Sequence, residues 1–234
     1  MDPALFSEKK FAEISEWEDN KFNLKKVYRL IGKYCPNGKG KRLLDVGCGD
    51  GSFALMIKNR YGFDAEGVDI AGKAVQRANR SGVKAKVCNI EKKLPYESGR
   101  FDAVILCEVI EHIFDTESLI KEIYRVMKKG GLLFLTTPNV ASLTSRIRLL
   151  FGGYPNGVEY CVSPNSIGHI RAYTPKILKR QLMRNKFFIV KMTSPNFLFP
   201  VKSKSIPLAI REFMIDFSDI TKNLGEQIVA VAKK

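Results

Sequence analysis

Histidine and tryptophan are nearly missing from this chain: two histidines, His112 and His169, and one tryptophan stand in 234 residues. Any chemistry that needs an imidazole therefore runs through two positions. No apolar run approaches the roughly 20 residues that span a bilayer, and Met1-Asp2-Pro3-Ala4 lacks the basic-then-apolar order of a secretory leader. The expectation is a cytoplasmic chain. The cysteines, Cys35, Cys48, Cys88, Cys107 and Cys161, are scattered and form no C-x-x-C pair, which points away from a zinc knuckle or disulfide framework and towards reduced thiols used as small core residues. Acidic residues thin out towards the end: residues 140–234 hold 15 basic and 5 acidic side chains, against 24 and 19 in residues 1–139, within a net charge of +15. Such a surplus either attracts phosphate, nucleic acid or an anionic membrane surface, or is a solvated basic face. Repeats and low-complexity tracts are absent, and the length fits one domain with a full core.

What is present begins with glycine. Leu43-Leu44-Asp45-Val46 is a short apolar run that meets Gly47, Gly49 and Gly51 at alternate positions, and Phe53-Ala54-Leu55-Met56-Ile57 follows with helical character. One glycine makes a turn; three let a ligand approach the main chain. The helix behind offers free N–H groups and the positive end of its dipole to an anionic or carboxylate-bearing ligand. This predicts a cofactor pocket.

In chain order, the spacing of Phe11, Ile14, Trp17, Phe22, Leu24, Val27, Leu30 and Ile31 predicts a helical cover over residues 1–40, closed by Pro36-Asn37-Gly38. Residues 41–234 then form the main domain. A second strand, Ala65–Asp69, ends in an acid 24 residues beyond Asp45, the place where nucleotide folds bind ribose hydroxyls. Helix 71–80, strand 83–88 and strand 101–107 follow, with Asn89 and Ile90 leaving a central strand where a cofactor base would sit. Ser118–Lys129 predicts a helix stopped by Lys128-Lys129-Gly130-Gly131, and Leu132–Thr137 a fifth strand. Asp102, opening a buried strand, reads as structural. Residues 140–174 read as a loop-rich insertion on the substrate side, containing a basic helix over 145–151 and the turn Ser163-Pro164-Asn165-Ser166. A helix over 175–185, a strand over 187–192 and a closing strand over 227–232 complete the pattern, and the apolar stretch around Phe197–Leu208 is either a lid, a membrane-touching loop or a plain cover. Alternating strands and helices predict a doubly wound α/β sheet covered on both faces.

Asp45-Val46-Gly47-Cys48-Gly49-Asp50-Gly51, followed in register by Asp69, Asn89–Pro95, Phe101-Asp102, Glu108–His112, Gly130-Gly131 and Thr137-Pro138-Asn139, resembles the class I S-adenosylmethionine-dependent methyltransferases. The resemblance implies a Rossmann-like seven-stranded sheet with its last strand antiparallel and an insertion after the fifth. A nicotinamide oxidoreductase would need a third glycine later in the loop, where Phe53 and Ala54 stand. The resemblance further implies that Asp45, Gly47, Cys48 and Gly49 hold the methionine end of the cofactor, Asp69 the ribose, Ile70, Asn89 and Ile90 the adenine, with Cys107 on the same rim. Asn89 replaces the family's common aspartate.

Glu108-Val109-Ile110-Glu111-His112 is the second constellation. On a helix, Glu108, Glu111 and His112 share one face, and His169 supplies the other imidazole. Together they resemble the divalent-metal site of small-RNA 2′-O-methyltransferases, and the same acid-histidine segment occurs in ubiquinone-biosynthesis O-methyltransferases. Mg²⁺ or Mn²⁺ bound there would lower a hydroxyl pKa. In the other reading His112 lines the acceptor pocket or acts as general base beside Glu111. The resemblance implies methyl transfer to oxygen of a small or lipid-linked acceptor, with peripheral membrane contact left open. RNA 2′-O-methylation and a catalytically idle cofactor-binding subunit are the alternatives.

Overall fold

The computed structural model describes residues 17–159, 168–195 and 223–234, with residues 17–23 as backbone only. Phe11, Ile14, Cys161, the 163–166 turn and the 197–208 stretch lie outside the described residues.

Helix α1 (Trp17–Tyr34) precedes strand β1 (Arg42–Val46), and α2 (Ser52–Tyr61), β2 (Asp64–Asp69), α3 (Gly72–Arg80), β3 (Lys84–Val87) and β4 (Phe101–Cys107) follow. A single 3₁₀ turn (Ile110–His112) leads to α4 (Thr116–Val126), β5 (Met127–Pro138), α5 (Leu143–Leu150), α6 (Pro175–Arg184), β6 (Phe188–Thr193) and β7 (Gln227–Lys233). The sheet order is β3-β2-β1-β4-β5-β7-β6. β1 to β5 are parallel, and β7 runs antiparallel to both its neighbours. This is the doubly wound sheet with an antiparallel final strand that the sequence predicts.

Successive strand residues serve opposite faces, as the two-residue period of a strand requires. Leu44, Val46, Val104 and Leu106 pack with α4 and α6, whereas Leu43, Ala103, Ile105 and Phe134 pack with α1 and α2 through Val27, Ile31, Phe53 and Ile57. Burial on both faces explains why these strands read as continuous apolar runs.

Several boundaries differ from expectation, and two of them show a cause. The helix before β5 ends at Val126 rather than Lys129, because Met127 turns extended at φ −75°, ψ 144° and already pairs with Phe101. Burial of Met127 against β4 outweighs the helix-stop signal of the lysines and glycines that follow it. The helix expected from Ser145 starts at Leu143, where the Ser142 side chain caps the Ser145 N–H. Asp102 is structural as expected, accepting from the Arg42 N–H at 2.9 Å and from Lys128 Nζ at 2.8 Å.

Candidate active site

Parallel pairing brings the ends of β1, β2, β3, β4 and β5 to one edge of the sheet, so Gly47, Asp69–Ile70, Cys88–Ile90, Cys107–Glu108 and Pro138 border one crevice. Because β7 runs the other way, its first residue, Gln227, arrives there opposite Pro138. Open α/β sheets bind ligands at this edge.

The cradle is built from main chain. Gly47 has φ +76°, and an added Cβ would stand 2.5 Å from Val109 Cγ2, so both conformation and space demand glycine. The Gly47 and Cys48 N–H groups donate to the Val68 carbonyl at 2.8 and 3.0 Å, locking the turn onto β2. Asp69 completes the lock: Oδ2 accepts from the Gly49 N–H and Oδ1 from the Ala71 N–H, each at 2.8 Å. Cys48 turns its thiol inward over Gly67, whose missing Cβ leaves the room; a Cβ there would be 2.6 Å from Sγ. Cys107 is half-buried at the crevice rim, and burial with the neighbouring Asp45 charge keeps its thiol protonated.

Asp45 is buried under this turn. Desolvation, reinforced by the Asp69 and Asp50 charges, pushes its carboxyl up to about 7. A buried acid with two acidic neighbours gains from any cationic group brought beside it. Asn89 commits its Oδ1 to the Glu91 N–H at 3.0 Å and so presents its amide as a donor. Ile70 and Ile90 follow the ends of β2 and β3 and are partly exposed.

Beyond β4 the chain reverses rather than continuing as a helix. Glu108 takes φ +54°, and only Ile110–His112 form a 3₁₀ turn. Left-handed backbone in a non-glycine residue costs on the order of 1–3 kcal/mol and is held by its surroundings. Here the holding contacts are Thr136 Oγ1 and Gln227 Nε2, both donating to Glu108 Oε1 at 2.7 Å. The expected shared face of Glu108, Glu111 and His112 therefore does not form. Glu108 is turned to the β5–β7 side, and the metal-type group among the described residues comprises Glu111, His112 and His169, with donor atoms within 4.8 Å of one another.

His169 arrives from a distant loop. Its Nε2 lies 3.9 Å from Glu111 Oε1, and the two imidazole centroids are 4.9 Å apart. Glu111 is almost fully buried, and its Oε2 accepts from Thr137 Oγ1 at 3.0 Å. The Thr137-Pro138-Asn139 segment thus has scaffold duties. Thr137 orients Glu111, and buried Asn139 donates to Ser194 Oγ and to the carbonyls of Asn223 and Gly225. Sequence reasoning missed Thr136, Gln227 and Glu159 as parts of this region. Only Gln227 had a signal, its place at the start of the closing strand.

A seven-stranded doubly wound sheet with an antiparallel final strand, a glycine turn after its first strand and an acid closing its second is the architecture of the class I S-adenosylmethionine-dependent methyltransferases. Residues 17–191 match the methyltransferase-domain family, and the chain belongs to it. It is 32% identical over 148 residues to the mitochondrial ubiquinone biosynthesis O-methyltransferase of Mus musculus, covering 56% of this chain and 40% of that protein. It is also 35% identical over 106 residues to norajmaline N-methyltransferase of Rauvolfia serpentina, covering 41% of this chain and 35% of that protein. The chain therefore spans less than half the length of these curated relatives. Among solved structures, an S-adenosylmethionine-dependent methyltransferase from Thermotoga maritima shares the fold with a TM-score of 0.67 at 20% identity, covering 96% of this chain and 97% of that one.

Proposed function

We propose that this methyltransferase moves the cofactor's methyl group to an oxygen of a small or lipid-linked acceptor. The observation that carries the reading is the meeting of Glu111, His112 and His169, one carboxylate and two imidazoles within 4.8 Å, beside the edge where the cofactor cradle opens. In the cradle, Asp45 takes the ammonium of the methionine end, which relieves its crowding by Asp69 and Asp50. Gly47, Cys48 and Gly49 let that end lie against the backbone. Each Asp69 oxygen keeps a lone pair for a ribose hydroxyl after serving its N–H group. Ile70 and Ile90 flank the adenine, Asn89 donates to it, and Cys107 forms part of the rim.

Transfer is an in-line displacement: an acceptor oxygen forms a bond to the methyl carbon as the carbon–sulfur bond breaks, leaving S-adenosylhomocysteine. Most of the acceleration comes from holding the reactants in line. The acceptor proton goes to the His112 imidazole, beside the charge of Glu111. Donor chemistry also fits a divalent ion. Two neutral imidazoles and a carboxylate form a mixed nitrogen and oxygen set suited to Mn²⁺ or a related metal, with positions left over for acceptor oxygens. Such an ion, when bound by Glu111, His112 and His169, would supply Lewis acidity that lowers a hydroxyl pKa.

A lipid-linked acceptor is supported by α5. Ile147, Leu149, Leu150, Phe151 and Tyr154 are exposed around it, with Arg146 and Arg148 on the same segment, a pattern suited to peripheral contact with an anionic membrane. Among the described residues no helix is long and apolar enough to cross a membrane. The test is titration calorimetry with S-adenosylmethionine and with NADH, with and without Mn²⁺, followed by methyl-transfer assays on a catechol, a prenylated catechol and a short RNA. Sulfonium binding with transfer to a catechol supports the reading. Tight NADH binding alone, transfer to RNA alone, or cofactor binding without transfer to any acceptor overturns it.

A further inference from the structure

Glu159 lies against the segment that carries His169, and its carboxylate meets that segment's main chain. Oε2 accepts from the Gly168 N–H at 2.8 Å and the His169 N–H at 3.1 Å. The carbonyl of the same Gly168 residue lies 2.9 Å from His112 Nδ1, and His169 Nδ1 lies 2.9 Å from the Gly157 carbonyl. A carbonyl oxygen only accepts, so both rings carry a proton on Nδ1, and in the neutral ring the lone pair stands on Nε2. Just downstream, the N–H groups of Ile170 and Arg171 donate to the Glu111 carbonyl at 2.9 and 3.0 Å. Residues 168–171 are thus stitched to the Glu111-His112 turn on one side and to Glu159 on the other.

We infer that Glu159 is a positioning residue which, by holding the Gly168-His169 backbone, fixes the tautomer and placement of both imidazoles at once. His169 is fixed directly, through the backbone that bears it and the Gly157 carbonyl beside it. His112 is fixed at one remove, through the Gly168 carbonyl. A side chain about 50 residues from Glu111 in sequence therefore sets the geometry of a group it does not join. Its consequence for metal affinity rests on the reading of Glu111, His112 and His169 as a divalent-ion site; its consequence for the tautomers does not.

The test compares the full-length wild type with Glu159→Ala, Glu159→Asp and Glu159→Gln. Long-range ¹H–¹⁵N spectra read the tautomers of the two histidines, and Co²⁺ titration followed by visible absorption and calorimetry reads the ion. Outer-shell partners of metal-binding histidines change affinity by about 10- to 100-fold when removed, and Glu159→Ala should weaken Co²⁺ by that amount and mix the tautomers. Glu159→Asp, one methylene short of both N–H groups, should do the same in milder form and keeps the test alive should the alanine variant misfold. Glu159→Gln, whose amide oxygen can still accept from both, should restore wild-type tautomers and Co²⁺ affinity, and S-adenosylmethionine affinity should stay unchanged in every folded variant. Wild-type tautomers and Co²⁺ affinity in both Glu159→Ala and Glu159→Asp would overturn the inference, as would a Glu159→Gln variant as damaged as the alanine one. A wild type that binds no Co²⁺, while Glu159→Ala still mixes the tautomers, would remove the metal reading and leave the positioning role standing.

Discussion

The cofactor cradle and the Glu111-His112-His169 cluster share one edge of the sheet, yet they are assembled in opposite ways. The cradle comes from neighbouring strand ends, β1 and β2, tied together by backbone donors to Val68 and Asp69. The cluster joins a 3₁₀ turn after β4 to a segment more than 50 residues later, through the Gly168 carbonyl beside His112 and two N–H groups on the Glu111 carbonyl, with Gly157 and Glu159 bracing His169. The difference is one of distance along the chain. Losing one side chain in the cradle damages a rigid core feature, whereas losing one in the cluster should disturb acceptor chemistry and leave the cofactor in place.

The largest effect expected is that of Asp69→Ala. It strips the acceptor from two N–H groups, each costing about 1–3 kcal/mol when left buried and unmet, and removes the ribose partner as well. Calorimetry should find S-adenosylmethionine binding weakened by at least about 100-fold, at roughly 1.4 kcal/mol per tenfold. Retained affinity would mean the cradle is not anchored at Asp69. Gly47→Ala comes next, since it puts a Cβ on left-handed backbone and against Val109. A cost of about 1–3 kcal/mol should lower the melting temperature by roughly 2–10 °C in a chain of this size, and Val109→Ala in the same chain should return part of it. No return would place the damage in the backbone alone.

A smaller effect is expected from pH. The native Asp45 carboxyl sits near 7, above its unfolded range, so folding favours the protonated form. Its contribution is full below about pH 4 and is lost as pH rises through 7. Denaturant midpoints of the cofactor-free protein should therefore decline over that window, and Asp45→Asn should flatten the decline. S-adenosylmethionine affinity should move the other way, rising with pH, because its ammonium favours the ionised acid. The smallest stability change belongs to the paired exposed substitutions Leu150→Ser and Phe151→Ser, expected within about 0.5 kcal/mol. Turnover of a prenylated acceptor in vesicles should still fall, with a water-soluble catechol unaffected.

The same contrast governs what was legible in the sequence. Gly47, Gly49 and Asp69 could be read because their chemistry is local: alternate glycines after a buried strand, then an acid at the next strand's end. The layout of the sheet followed from alternating strands and helices. Glu108 could not be placed, because its backbone conformation is decided by Thr136 and Gln227, the latter 119 residues away. The helical face assumed for Glu108, Glu111 and His112 fails for that reason, although Glu111 and His112 still meet His169. Glu159 left no trace either, since a carboxylate that accepts from two backbone N–H groups nine and ten residues on has no periodicity or motif.

The most direct test of the separation between the two regions is a His112→Ala, His169→Ala double variant, measured for S-adenosylmethionine affinity by calorimetry and for methyl transfer to a catechol in parallel. Cofactor affinity should stay within about twofold of wild type, a difference under 0.5 kcal/mol, while transfer falls by at least about 100-fold, the scale set by losing a proton acceptor. Loss of cofactor binding, or transfer at the wild-type rate, would contradict the account.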